Sequence, residues 1–395
     1  MRILLLCDRV LSEPADGLVL RVLNLARELA SRHTIDLLCL RQATQSVCAP
    51  PGVFGRIWSA PRPPARPSAG WLGPFTGWSP AALYVHSPVV EQLLTTEINP
   101  SEYDVIWDAG AVLFTQLPTT WAGVPVVADL VDDMVLTFQR ARRSTPGLIN
   151  KIRLWKYAHV FGRFERESMR RASRCVVVGD EDAASFSRVS PRVPVSVVAN
   201  GVDTTYYAPA ERAAVPGRVV FEGSMAFPPN EQAALFLVRE IMPLVWAARP
   251  DATVALVGRN PALRLRELES ERVIVTGAVA DIRDFVLAAD VFACPLLAGA
   301  GIKNKLLQAW AMARPVVATS VSVGGLGASD GENLLIRDGA EAFANAVLEL
   351  LADPVRREQL GHAGRQVAVE RFAWAAMAER FEALLLCAAD EGPAR

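Results

Sequence analysis

Five apolar residues in a row, at positions 3–7, open the chain, and runs of this kind recur along it with helix-patterned segments between them. That alternation constrains the fold more than any other feature. A strand covered on both faces reads as a continuous apolar run, whereas a strand with one wet face alternates. Covered strands joined by helices imply a parallel sheet with right-handed crossovers. The first forty residues give one such unit. An apolar run at 3–7 leads through a loop at 12–17 into a helix with Leu18, Val22, Leu25 and Leu29 on one face, then a second run at 35–40. Further strands are expected at 104–107, 125–128, 175–178 and 195–199. A second series starts at Arg218, with strands at 219–221, 253–257, 273–276, 291–293, 315–319 and 334–336.

The chain has 395 residues, enough for two domains of this kind at roughly 100–200 residues each. The segment 209–216, bounded by Pro209 and Pro216, reads as the linker. Ligands of open parallel sheets bind beyond the carboxyl ends of the strands, so both loop sets are expected to face a shared cleft. Residues 50–80 interrupt the pattern with eight prolines and with Trp58, Trp71 and Trp78. Proline lacks the N–H and fixes φ, so neither a helix nor a central strand fits there. A long surface loop is expected, either packing its own aromatics or forming a flap that faces an acceptor or a membrane.

Charge narrows the function. Lys plus Arg total 41 against 42 Asp plus Glu, a net charge of −1, which argues against a general nucleic-acid binder. Between residues 140 and 174, however, eleven Lys or Arg face only Glu165 and Glu167. That stretch is either a solvated helix face or a patch for anionic lipid head groups or a lipid-linked phosphate. No apolar run is long enough to span a membrane, and Asp8 and Arg9 cut the first run too short for a signal segment. Six scattered cysteines with no CxxC pair suggest buried thiols in a reducing, cytoplasmic setting, with peripheral contact at the inner membrane face left open. His33, His86, His159 and His362 have no metal-ligand spacing, so no metal and no cofactor are expected.

The chemistry is expected at residues 295–319, where an apolar strand runs into a glycine turn, a helix and another strand. Gly299 and Gly301 allow close backbone approach, and the free N–H groups of the following helix favour an anion. Lys303 and Lys305 lie in that helix's first turn, where a cation opposes the helix dipole by about 0.3–1 kcal/mol. Two of them are either solvated side chains or partners of an anion above the turn.

Several phrases together resemble the family 4 glycosyltransferases of the GT-B type, from Met1 to about Arg371. They are Pro14-x-x-Gly17, Glu165-Arg166, Val198-Ala199-Asn200-Gly201-Val202-Asp203, Val257-Gly258-Arg259, Val275-Thr276-Gly277 and Ala311-Met312-Ala313-Arg314-Pro315-Val316-Val317. The stretch from Gly223-Ser224-Met225 to Pro229-Asn230 is most similar to the bacterial exopolysaccharide branch. The resemblance implies an α/β fold of two Rossmann-like domains. An N-terminal acceptor-binding domain is expected over 1–208, a C-terminal nucleotide-sugar-binding domain over 209–374, and a C-terminal helix over 375–395 packing toward the first. It implies retaining transfer of a sugar from a UDP-, GDP- or dTDP-sugar to a glycan, lipid-linked or small-molecule acceptor.

The sequence departs from the family where the donor is held. The Glu-x7-Glu positions are Ala300 and Gln308, and the family's diphosphate-binding Arg and Lys fall near Ser224 and Asn230. Gln308 can still donate to and accept from a ribose diol, without a carboxylate's charge. The expected donor site comprises Gly223, Ser224, Arg259, Gly277, Ala278, Val279, Gly299, Ala300, Gly301, Ile302, Asn304 and Gln308. Lys303 is expected on the leaving diphosphate, Asp129 and Asp132 at the reacting centre, and Gly17 and Arg21 on the acceptor. Asp132 and Asp133 can alternatively cap a helix. Two other readings stay open: a non-hydrolysing sugar-nucleotide epimerase, and a catalytically silent paralogue that binds a sugar nucleotide or scaffolds an assembly.

Overall fold

The computed structural model describes residues 1–11, 17–42, 47, 49–63, 87–131, 135–136, 138–139, 142, 147–210, 212, 215–298 and 301–394. Asp132, Asp133, Gly299, Ala300 and most of the Trp-rich stretch lie outside them. The chain forms two compact units, one of Met1–Ala199 with Met377–Arg395 and one of Asn200–Ala376. The division thus falls earlier than the 208/209 boundary expected from the prolines. The chain's last helix starts in the second unit, and its residues from Met377 on belong to the first.

The first unit is a parallel sheet of β1 (Arg2–Cys7), β2 (Thr34–Arg41), β3 (Ile57–Pro61), β4 (Val105–Ala109), β5 (Val126–Val131), β6 (Arg174–Val177) and β7 (Val195–Val197), in spatial order β3-β2-β1-β4-β5-β6-β7. Its helices are α1 (Gly17–Leu29), α2 (Pro88–Thr96), α3 (Leu148–Ser168) and α4 (Asp180–Val189). Every residue from Ile3 to Cys7 is fully buried, which is why the run is unbroken by polar residues. β3 corrects the expectation of a loop throughout 50–80. It pairs with β2 alone, Leu37 opposite Ile57 and Arg41 opposite Pro61, so its proline ends an edge strand, where a missing N–H is tolerated.

The second unit repeats the plan with β8 (Arg218–Glu222), β9 (Thr253–Val257), β10 (Val273–Gly277), β11 (Val291–Cys294), β12 (Val316–Ala318) and β13 (Leu335–Ile336), in the order β10-β9-β8-β11-β12-β13. Its helices are α5 (Pro228–Phe236), α6 (Met242–Ala248), α7 (Leu263–Arg266), α8 (Arg283–Leu287), α9 (Asn304–Ala311), α10 (Ala340–Ala352) and α11 (Pro354–Phe372); α12 (Trp374–Glu391) is the last helix. Strand order reverses between β8 and β11, and between β1 and β4 in the first unit. At such a switch point the loops above the carboxyl ends diverge and leave a crevice. In the second unit the described parts of those loops are residues 223–227, 295–298 and 301–303.

Within the first unit, α12 packs on the sheet through Phe381, whose ring lies 4.8 Å from that of Trp107 on β4. His33 and Arg32 hold Glu382 on the same helix, Arg32 Nη2 at 2.7 Å.

Candidate functional site

β8 ends at Glu222 and the chain turns at Gly223, with φ of +154°. That φ favours glycine, and a Cβ there would also displace Lys305 Nζ, 2.6 Å away, and Asn230 Nδ2, 2.8 Å away. The neighbouring Gly258, φ +149°, is tighter still, since a Cβ would fall 1.8 Å from the Gly223 carbonyl oxygen. The turns are joined by Gly223 N–H to Val257 O and Met225 N–H to Arg259 O, both 3.0 Å. The chain therefore presents bare backbone at the switch point.

Into this turn reaches Lys305, from the first turn of α9. Its ammonium donates to Glu222 O at 2.6 Å and to Asn230 Oδ1 at 2.9 Å, and stands 4.4 Å from the centroid of the Phe221 ring. Asn230 in turn donates to Ser224 O at 3.0 Å. An ammonium has three donors, and these contacts occupy two of them. Burial raises the Glu222 carboxyl above its ordinary range, and the Lys305 charge pulls it part of the way back.

The expected roles of the two lysines are corrected here. Lys303 is the N-cap of α9 and donates to Gly301 O at 2.7 Å, within its own turn. Lys305 is the one that joins the Gly223 turn, and it brings its charge to Asn230, where the family resemblance places a lysine. Asn304 Oδ1 is buried with no hydrogen-bond partner among the described residues, while Gly301 and Ile302 are half-buried.

Gln308, one turn further along α9, donates through Nε2 to the Tyr207 hydroxyl at 3.1 Å. Tyr207 was not legible as a site residue; its only sequence signal is its place just after the Asn200–Asp203 phrase. Burial pushes its phenol up to about 12, with Glu222, Tyr206 and Asp281 adding to the shift. Its hydroxyl therefore stays protonated and available as a donor. On the β10 side, Gly277 is buried, Ala278 exposed and Val279 half-buried, and Thr276 Oγ1 receives Gly258 N–H at 3.4 Å. Arg259 is exposed in the turn after Gly258.

In the first unit, Arg21 and Asp129 overturn their expected roles. Both side chains are 0% exposed. Arg21 Nε donates to both Asp129 oxygens at 3.2 and 3.0 Å, and Nη1 to Val198 O at 2.9 Å and Ala199 O at 3.0 Å. A guanidinium with no exposed surface cannot grip an acceptor; it ties α1 to β5 and to the chain after β7. Gly17 opens α1, and a Cβ there would meet nothing within 4 Å, so packing does not require glycine. Asp108 near the end of β4 was missed. Burial holds its carboxyl well above the usual range, against hydrogen bonds from the amides of Phe114, Leu113 and Val112. Among the described residues, no three His, Cys, Asp or Glu side chains gather as metal ligands.

Comparison with known proteins matches the two halves separately. The family described as Glycosyltransferase Family 4 covers residues 15–206, and Glycosyl transferases group 1 covers 216–353. Alpha-maltose-1-phosphate synthase of Mycobacterium tuberculosis is 30% identical over 274 residues, 59% of this chain and 69% of that protein. A GDP-mannose-dependent monoacylated alpha-(1-6)-phosphatidylinositol monomannoside mannosyltransferase of Corynebacterium glutamicum is 32% identical over 158 residues, 36% of this chain and 41% of that one. Among solved structures, Anabaena HepE in complex with UDP-glucose superposes with a TM-score of 0.63 at 18% identity, covering 98% of this chain and 100% of that one. Sucrose-phosphate synthase from Thermosynechococcus elongatus gives 0.66 at 18% identity over 98% and 99%.

Proposed function

Because the chain belongs to the family 4 glycosyltransferases, with the two Rossmann-like domains of the GT-B fold, we propose that its second unit holds a nucleoside-diphosphate sugar and that transfer retains the anomeric configuration. The diphosphate rests on the Gly223 turn and the start of α9, where Lys305 offers its remaining N–H. Main-chain groups of residues 277–279 take the base, and Gln308 with Tyr207 takes the ribose. The first unit provides the acceptor side.

The observation that carries this reading is Lys305 anchored between Glu222 O and Asn230 Oδ1. An ammonium fixed in advance at a bare glycine turn stabilises a leaving diphosphate without reorganisation. In the transfer, the bond from the anomeric carbon to the diphosphate oxygen breaks while the acceptor hydroxyl attacks from the same face. Its proton passes to the departing phosphate oxygen. No protein nucleophile is required, and positioning supplies much of the rate. Lys305 provides the positive charge, so the reaction is expected to run in the presence of a chelator. The acceptor is a glycan or a lipid-linked sugar, in keeping with the phosphatidylinositol mannoside named for the Corynebacterium relative.

The test is Lys305→Ala beside Lys303→Ala, with titration of UDP-, GDP- and dTDP-sugars and turnover measured together. Loss of one positioned stabilising group costs roughly 10²–10³ in kcat, and this is expected for Lys305→Ala and not for Lys303→Ala. Unchanged turnover and affinity in Lys305→Ala would remove the proposed site. Tight nucleotide-sugar binding in the unaltered protein, with no hydrolysis or transfer of any donor, would favour the silent paralogue instead.

A further inference from the structure

The start of α3 carries Leu148, Ile149, Ile152 and Trp155, which are 75%, 83%, 44% and 51% exposed. Single exposed aliphatics are ordinary; four large apolar side chains within two helical turns are not. Leu148, Ile152 and Trp155 are spaced i, i+4, i+7 and share one face, and Arg163 and Arg166 continue it toward the C-terminus. Beside that face lies a cavity of about 640 Å³, whose lining among the described residues includes Arg142, Lys151, His159, Arg163 and Arg166 together with Trp155, and no carboxylate. Glu167 meets Arg163 in an exposed i,i+4 contact at 3.3 Å, a geometry that is worth little against the basic residues of the lining. Arg166 donates to the carbonyl of Val189, a contact that does not neutralise it. The helix is held by another side, where Phe138 stacks near Tyr157 and Phe161 at 5.5 and 5.2 Å.

We propose that α3 docks the protein on an anionic lipid surface, with lipid phosphates in the basic cavity and the aliphatic first turns in the boundary between head groups and acyl chains. An apolar strip adjoining a cavity lined by several Arg and Lys side chains is complementary to an amphiphile, whose phosphate and hydrocarbon also adjoin. A soluble phosphate would leave the apolar strip unexplained. The contact is at the surface of the bilayer, since among the described residues no helix is long and apolar enough to cross it. Binding of this kind grows with buried apolar area and with attraction to acidic head groups.

The test is co-sedimentation of the full chain with phosphatidylcholine vesicles, with and without phosphatidylglycerol at about one lipid in three. Binding is expected on the mixed vesicles only and is expected to weaken as salt rises. Lys151→Glu with Arg163→Glu lowers partitioning by about fivefold or more per charge removed. Ile149→Ser with Ile152→Ser lowers it as well, while leaving the charge and the salt dependence intact. Nucleotide affinity, which rests on the second unit, serves as the check that each variant is folded. The proposal falls if the unaltered protein ignores the mixed vesicles, if either double variant binds like it, or if millimolar glycerol phosphate alone displaces the protein. Failure here leaves the donor site untouched, and failure of Lys305→Ala leaves vesicle binding unchanged.

Discussion

At the end of β5 in the first unit, Arg21 gives its guanidinium to Asp129 and to two main-chain carbonyls, and no part of it meets solvent. At the end of β8 in the second, Lys305 gives two N–H groups to a carbonyl and an amide oxygen while staying half-buried. Both are basic residues from a helix reaching a parallel strand's carboxyl end, yet they do different work. Arg21 is fully buried and gives Nε and Nη1 to a carboxylate and two carbonyls of its own chain, so its interaction serves the fold. Lys305 donates to two neutral oxygens and, though the buried Glu222 carboxyl feels its charge, has no carboxylate hydrogen-bonded to it among the described residues, so it can serve a ligand. A cation's partners, more than its place in the fold, separate the two roles.

The contrast breaks most easily at Arg21. Arg21→Met leaves the Asp129 carboxylate buried and alone, which costs about 3–5 kcal/mol of folding stability in urea denaturation. Lys305→Met removes two hydrogen bonds to neutral oxygens, at roughly 0.5–1.5 kcal/mol each, together with the charge that eases the buried Glu222 carboxyl, and is expected to cost less than Arg21→Met. Its main effect is lost donor affinity. Equal destabilisation by the two variants would erase the distinction.

Gly258→Ala comes next. Its Cβ would overlap the Gly223 carbonyl in a backbone conformation that disfavours side chains, a strain of about 1–3 kcal/mol. Nucleotide titration is expected to show at least tenfold weaker binding, because relief of that strain moves the turn that holds Lys305. Tyr207→Phe is milder. It removes the hydroxyl that meets Gln308 and is expected to weaken donor binding by roughly 0.5–1.5 kcal/mol with the melting temperature nearly unchanged.

The smallest effect is one of pH, in the first unit. Burial raises the Glu382 carboxyl, but hydrogen bonds from His33 and Arg32 outweigh it and hold the group below its ordinary value. A carboxyl depressed on folding stabilises above its unfolded pKa and loses that contribution as pH falls through the folded one. Glu382→Gln should therefore flatten the acid limb of stability, below about pH 5, and leave the neutral plateau lower. An unchanged acid limb in denaturation midpoints would argue that the ion pair contributes nothing.

The sheets were legible where strands are covered on both faces. The run predicted at 253–257 coincides with β9, since burial there tolerates no polar interruption. β3 escaped notice because an edge strand with one partner obeys looser rules, and proline obscures it. Arg21 was readable as interior: it lies three residues after Leu18 and four before Leu25, on the face that packs inward. The charge of the side chain drew attention away from its position. For the lysines, sequence places both in one helical turn and cannot say which ammonium folds back over β8. That depends on Asn230 and on Gly223, which are distant in sequence and meet only through the sheet.

The close packing of Gly258 against the Gly223 carbonyl also bears on how the protein can be altered. With one residue's α-carbon resting on the other's carbonyl, the loops after β8 and β9 are in effect a single piece, and neither can lengthen or gain bulk while the other stays put. Retuning the protein for a different sugar nucleotide would have to leave this pair alone and vary the segment after β10, where Ala278 is exposed.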